Sequence, residues 1–445
     1  MQTYGVEDIV WRVRFFDKDS GGKSTPIDWR WAAIILATVF LNFSFFEVHG
    51  LDVAGFGSLA VDATVLCVAA VLITLLFFIG PALAVRATQR PVLSLLEDSI
   101  GTIPTLAVRF CCVLFLFLWI ARLLAVPTLW ALSMSRGEGC FKTGIIAVAL
   151  LLFLFFTGLQ SVRTSAKLAM FTDKLGIAIL IAALIRVRDG WASVPGGFGI
   201  AGSYPHALPF TSGLSNIASY AAPFGLFAAE YASPIPSRKQ VSLTILSGVT
   251  VPMFLALLLS SILGMATAAC HLYQPSLDPT VAMALWAHTA GAASPSRILV
   301  AGITTFGALR FGIRALAEYG PAISNGTSSC VAHVCAVVAI ATLALRPYAT
   351  ASIVVSDICV RCIAVAGAVL TASVVMGLRS GPARRRFDTV GLIALLAGAV
   401  TALCLPEQFL WAQGRWWLPW LLPTYAVGFL VFFVGRSVQR QSRRK

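Results

Sequence analysis

Long, almost uncharged apolar runs constrain this chain more than any other feature. A run of about 20 apolar residues, wound as a helix, crosses the hydrocarbon core of a bilayer. Inside that core every backbone N–H and C=O must be satisfied within the segment, so such runs are helices. Twelve candidate spans can be drawn, at approximately 31–54, 59–85, 104–132, 143–160, 166–187, 211–232, 241–269, 295–319, 329–346, 350–378, 389–406 and 416–436. The first two are weakly divided, by Gly50-Leu-Asp-Val-Ala-Gly-Phe-Gly57. Composition agrees. The 445 residues are 58% hydrophobic and 12% charged, with a mean hydropathy of +0.85, whereas soluble domains carry about 25% charged residues. The expected fold class is an all-α polytopic membrane protein of about 12 transmembrane helices.

The net charge of +14 resembles a nucleic-acid signal until its distribution is followed. With the N-terminus inside, 20 Lys and Arg fall in cytoplasmic segments and seven on the opposite side, out of 33. Cytoplasmic loops of membrane proteins carry this excess. The bias supports an even number of spans, both termini cytoplasmic, in the plasma or inner membrane. It leaves no basic face for nucleic acid. The first 28 residues are polar and of mixed charge, without the apolar core of a secretory signal.

The ten cysteines lie mostly in apolar runs, where Cys acts as a small hydrophobe. Cys359-x-x-Cys362 has redox or zinc spacing, but it falls in a span with no second pair and reads as packing. His206, His271 and His288 occupy or border outside loops without a carboxylate cluster. Asn325-Gly-Thr327 matches an N-glycosylation pattern but maps to the cytoplasmic side. No HExxH, His-rich box, GxSxG or acidic metal motif is present. The reading is therefore not an enzyme, with no organic cofactor.

Ionisable groups at depth are costly and mark function. The chain has Asp62, Arg122, Asp173, Lys174, Glu230, Arg310, Arg314, Glu318, Asp357 and Arg361 there. Asp357 and Arg361 stand at i, i+4 and read as internal neutralisation. The sixth span, Ser212-Gly-Leu-Ser-Asn-Ile-Ala-Ser-Tyr-Ala-Ala-Pro-Phe-Gly225, is small, polar and interrupted by Pro223. A Pro inside a span frees backbone groups, and broken helices near the midplane are where transporters hold substrate and ions. Asn42-Phe-Ser44 in the first span is a weaker counterpart. On the eighth span, Ala301-Gly-Ile-Thr304-Thr305 offers hydroxyls and carbonyls, the oxygen ligands a small hard cation prefers.

Four features together resemble the nucleobase:cation symporter-1 family, within the amino acid–polyamine–organocation superfamily. They are the loop Arg86-Ala-Thr-Gln-Arg-Pro-Val-Leu-Ser-Leu-Leu-Glu-Asp-Ser-Ile-Gly101, the ending Ala229-Glu-Tyr-Ala-Ser233, the pattern Ala301-x-x-Thr304-Thr305 and the number of spans. The resemblance implies a leucine-transporter-type fold of two inverted five-helix repeats plus two C-terminal helices. It divides the chain into a cytoplasmic tail (1–28), a first repeat (29–190), a second repeat (191–380) and two further helices with a basic tail (381–445). It implies a cation-coupled symporter of a small polar or anionic ring compound, such as a nucleobase. The substrate residues would be Asn42, Trp119, Tyr220, Phe224 and Arg310. The coupling cation, possibly Na+, would meet Ala301, Thr304 and Thr305. The partners are the substrate and the bilayer; the sequence does not address oligomeric state.

Departures sharpen the expectation. Arg310 stands where the family has a nucleobase-binding Asn, no Gln follows Trp119, and Glu230 lacks a following Arg. A guanidinium is a bidentate binder of carboxylates and similar anions. Lys174, about 16 Å into the fifth span by helical rise, offers proton coupling instead, with Glu230 a further candidate. Two alternatives stay open: an amino acid or organic-acid permease of the same superfamily, and a receptor or scaffold that has lost transport.

Overall fold

Asp28 starts the first helix. Its side chain accepts from the Arg30 N–H at 3.1 Å, satisfying a donor that the helix itself cannot. The computed structural model describes residues 17–18, 24–25, 28–42, 45, 59–134, 162–186, 210–259, 295–319, 350–376, 388–404 and 421–442. The expected spans at 143–160 and 329–346 lie outside the described residues. Apart from one two-residue antiparallel pairing, Asp17–Lys18 (β1) with Ser24–Thr25 (β2), every described element is helical.

In chain order the helices are α1 (Trp29–Ala37), α2 (Leu59–Ile73), α3 (Gly80–Thr88), α4 (Val92–Ile100), α5 (Thr102–Met134), α6 (Val162–Arg186), α7 (Phe210–Glu230), α8 (Arg238–Ile245), α9 (Pro295–Tyr319), α10 (Thr350–Val375), α11 (Thr389–Cys404) and α12 (Leu421–Ser442). A π segment at Thr74–Ile79 joins α2 to α3 within the second span, and another at Leu246–Thr250 continues α8 within the seventh. Among the described residues, Leu66–Thr88, Thr102–Leu124, Arg238–Leu259 and Val354–Val375 are long and apolar enough to cross a membrane. Large apolar side chains such as Leu106, Phe110, Phe171, Leu246 and Val375 face outward. Water would penalise that perimeter; lipid chains do not.

The two π segments sit in matching places. α1 approaches the second of them, where a Cβ on Gly248 would meet the Ala33 carbonyl oxygen at 2.6 Å. α7 approaches the first, where a Cβ on Gly225 would collide with the Phe77 carbonyl oxygen. The segments touch through Thr250 Oγ1, which donates to Thr74 Oγ1 at 2.8 Å. First span on seventh mirrors sixth span on second, as two inverted five-helix repeats require.

The C-terminal helices clamp onto this body by charge. Asp388 caps α11 by accepting from the Gly391 N–H at 3.0 Å, and it pairs with Arg436 of α12 at 2.9 Å. Arg436 also donates to the Ser99 carbonyl at 3.0 Å. On α10, Asp357 and Arg361 form the expected i, i+4 pair at 2.6 Å.

Candidate functional site

The first span unwinds after Ala37. Residues 38–42 form a turn, and Phe45 is again helical. The break has a visible cause. Asn42 is fully buried, and its amide donates to the carbonyls of Val39 at 2.8 Å and Thr38 at 3.1 Å. Its Oδ1 accepts from the Phe45 N–H at 3.0 Å. This side chain supplements the backbone bonds that continue through the turn, such as Leu41 N–H to the Ala37 carbonyl at 2.9 Å. The expected substrate residue Asn42 is spent largely on its own backbone.

Three of the other expected substrate residues, Trp119, Tyr220 and Phe224, come together at this break. Tyr220 Oη donates to the Val39 carbonyl at 2.9 Å, and Trp119 Nε1 donates to Tyr220 Oη at 3.1 Å. This chain links the third, sixth and first spans. Phe224 meets Trp119 edge-on, with ring centroids 4.7 Å apart. Phe45 and Phe311 complete the aromatic cluster, at 4.9 Å from Tyr220 and 6.2 Å from Trp119. α9 reaches it because Gly312 lies against the indole, where a Cβ would stand 2.8 Å from Trp119 Cζ3. The eighth span thus contributes Phe311 to the aromatic cluster. Arg310 is buried and lies within electrostatic reach of Arg314 and Tyr231. Arg122, three residues past Trp119, stands in the same relation to Tyr220.

A second cluster lies where α9 crosses α6 and the end of α1. Thr38 and Thr172 are buried there, and Thr305 is buried on the same helix, α9. Gly307 permits the approach, since a Cβ would meet Thr172 Oγ1 at 2.6 Å and Thr38 Cγ2 at 2.8 Å. Ala301 and Thr304 belong to the helical run of α9, but their side chains lie outside the described residues. Beside Thr172, Asp173 is buried and its Oδ1 has no hydrogen-bond partner among the described residues. Lys174 points the other way and is exposed. The buried ammonium expected on the fifth span is not found at Lys174; the buried ionisable group there is its neighbour. Sequence spacing alone did not separate the two, because adjacent residues on a helix differ by about 100° in direction.

Glu230 has a different occupation from the one expected. Its Oε1 accepts from the Val92 N–H at 3.0 Å and from Tyr319 Oη at 3.3 Å. Pro91, at the N-cap of α4, supplies no side-chain cap, so Glu230 caps that helix from another element. Before α4, Arg86 donates to the Pro236 carbonyl; after α4, Gly101 leads into α5 at φ 94°, a value that favours glycine.

No protein-family model matches this chain, and no curated protein matches it in sequence. Solved structures do match in fold. Mhp1, a nucleobase-cation-symport-1 family transporter, in a closed conformation with bromovinylhydantoin bound, superposes with a TM-score of 0.63 at 14% identity, covering 96% of each chain. Its inward-facing conformation gives 0.63 at 13% identity, over 93% of this chain and 91% of that one. A substrate-bound, outward-open Na+-coupled sialic acid symporter gives 0.59 at 11% identity, over 96% and 93%. The chain therefore has the all-helical, leucine-transporter-type fold of these membrane transporters.

Proposed function

We propose that this protein is a cation-coupled secondary transporter of a small planar polar compound, of the nucleobase or hydantoin kind. The supporting observation is the Trp119–Tyr220–Val39 hydrogen-bond chain at the break of the first span, inside an aromatic cluster. Aromatic rings stack on flat ligands and exclude water. The unwound backbone and the phenol supply the few polar contacts that fix orientation. Trp119, Tyr220 and Phe224 are the substrate residues in this reading, with Asn42 shaping the break.

The coupling cation belongs at the hydroxyl-lined crossing of α1, α6 and α9. Thr305 provides a ligand, with Ala301 and Thr304 contributing from the same helix. Na+ fits an all-oxygen site. Asp173 takes the place of Lys174 as the group that could carry a proton. The burial of Arg310 near Tyr231 favours a second reading, in which the substrate is an anion such as a small carboxylate.

The test is a thermal-shift screen of purified protein against nucleobases, hydantoins, amino acids and small carboxylates, with and without Na+. A ligand that binds the folded state raises the melting temperature by mass action. Stabilisation by a nucleobase or hydantoin, enhanced by Na+, followed by accumulation of that compound in proteoliposomes, supports the first reading. Stabilisation by carboxylates alone moves the assignment to the second. Binding without accumulation points to a receptor.

A further inference from the structure

Four of the ten cysteines are gathered at one helix crossing. α5 carries Cys111 and Cys112; α10 carries Cys359 and, one helical turn on, Cys362. The helices pack together. The thiols of Cys359 and Cys362 both stand within hydrogen-bonding reach of Cys111. All four are reduced. Cys359 and Cys112 are buried, while Cys111 and Cys362 are half-buried and open to a small reagent. In sequence the Cys359-x-x-Cys362 pair lacked a partner; the fold provides one from the third span. Among the described residues no cluster of His, Cys, Asp or Glu has metal-holding geometry, which turns the reading from metal to redox chemistry.

We infer that Cys111, Cys359 and Cys362 form an oxidisable thiol site, in which a disulfide from Cys111 to Cys362 ties the third span to the tenth. A membrane-permeant peroxide supplies the oxidation. The Cys111 sulfur attacks a peroxide oxygen, the O–O bond breaks, and Cys111 becomes a sulfenic acid while its thiol proton leaves with the other oxygen as one water. The Cys362 thiol then attacks the sulfenic sulfur, and its proton leaves with the sulfenic oxygen as a second water, forming the S–S bond. Two thiols and one hydrogen peroxide give one disulfide and two waters. Cys359 stands as the alternative resolving thiol. This inference depends on helix packing alone and does not rest on the transport reading.

Mass spectrometry of the full-length protein in liposomes tests it. Trypsin cuts at Arg109, Arg122 and Arg361, so Cys111 and Cys112 share one peptide while Cys359 and Cys362 part onto two. After hydrogen peroxide, the peptide starting at Phe110 is expected joined to the one starting at Cys362. Dithiothreitol should release it. The melting temperature should rise by several degrees on oxidation and fall back on reduction. Cys111→Ser should abolish the cross-link. So should the double variant Cys359→Ser/Cys362→Ser, a control in case the first misfolds. Cysteines that stay free under conditions that oxidise exposed Cys67, or a cross-link that survives Cys111→Ser, would overturn the inference.

Discussion

At the scale of single residues, Tyr220 is the hinge of the proposed substrate site. Its hydroxyl both accepts from Trp119 and donates to Val39. Tyr220→Phe keeps the ring and removes both bonds. The Val39 carbonyl keeps the Asn42 amide, but the buried Trp119 N–H loses its acceptor, a loss worth about 1–3 kcal/mol when a buried group goes unsatisfied. Substrate affinity should fall roughly tenfold, equivalent to about 1.4 kcal/mol, with smaller change in the maximal rate. A titration of melting temperature against ligand measures it. Asp173 makes the opposite kind of prediction. Its carboxyl is buried and Oδ1 lacks a partner among the described residues, so charge there is costly. Asp173→Asn should stabilise the fold while reducing gradient-driven accumulation at least about tenfold, as removal of a coupling group requires. Unchanged accumulation across Na+ and proton gradients would remove Asp173 from the coupling scheme.

At the scale of elements, the π segments do what regular helices could not. A π turn frees backbone carbonyls and often marks a functional region. Here each gives a neighbouring span a place to approach at backbone distance. Gly225 against the Phe77 carbonyl is the tightest of these contacts. Gly225→Ala cannot be absorbed by a side-chain shift, because the obstructing atom is backbone. The expected result is a destabilisation of about 1–3 kcal/mol from overpacking, seen as a lower melting temperature and weaker Tyr220-dependent ligand binding. The sequence carried part of this. Asn42 marked the break in the first span, but the interruption expected at Pro223 is absent: α7 runs as one helix from Phe210 to Glu230 with Pro223 inside it. The π segments were not legible, since neither Thr74-Leu-Leu-Phe-Phe-Ile79 nor Leu246-Ser-Gly-Val-Thr250 departs from an ordinary apolar run. The roles of Glu230 and Lys174 were also hidden. Glu230 caps a helix far away in sequence, and the side on which Lys174 emerges depends on neighbours that spacing does not name.

At the scale of the whole molecule, hydropathy and charge bias specified a polytopic helical bundle, because lipid imposes the same demand on every span. They did not specify which spans meet. That information lies in tertiary contacts such as first span on seventh and sixth on second. The resulting centre is closed: Phe40, Asn42, Trp119 and Phe224 are all buried. A ligand held among them cannot leave by diffusion through a standing pore. Under the transport reading proposed above, the repeats would shift against one another to open one side at a time, as in carriers built on inverted repeats. Such a carrier returns faster when loaded on the far side. Liposomes preloaded with unlabelled ligand should therefore take up labelled ligand transiently above equilibrium, without any ion gradient. Tyr220→Phe should show the same overshoot only at higher ligand concentration. A pore would give simple equilibration whatever the preload, and a receptor would give surface binding that saturates without filling the lumen. Counterflow thus reads the closed centre directly, separately from the identity of the coupling ion.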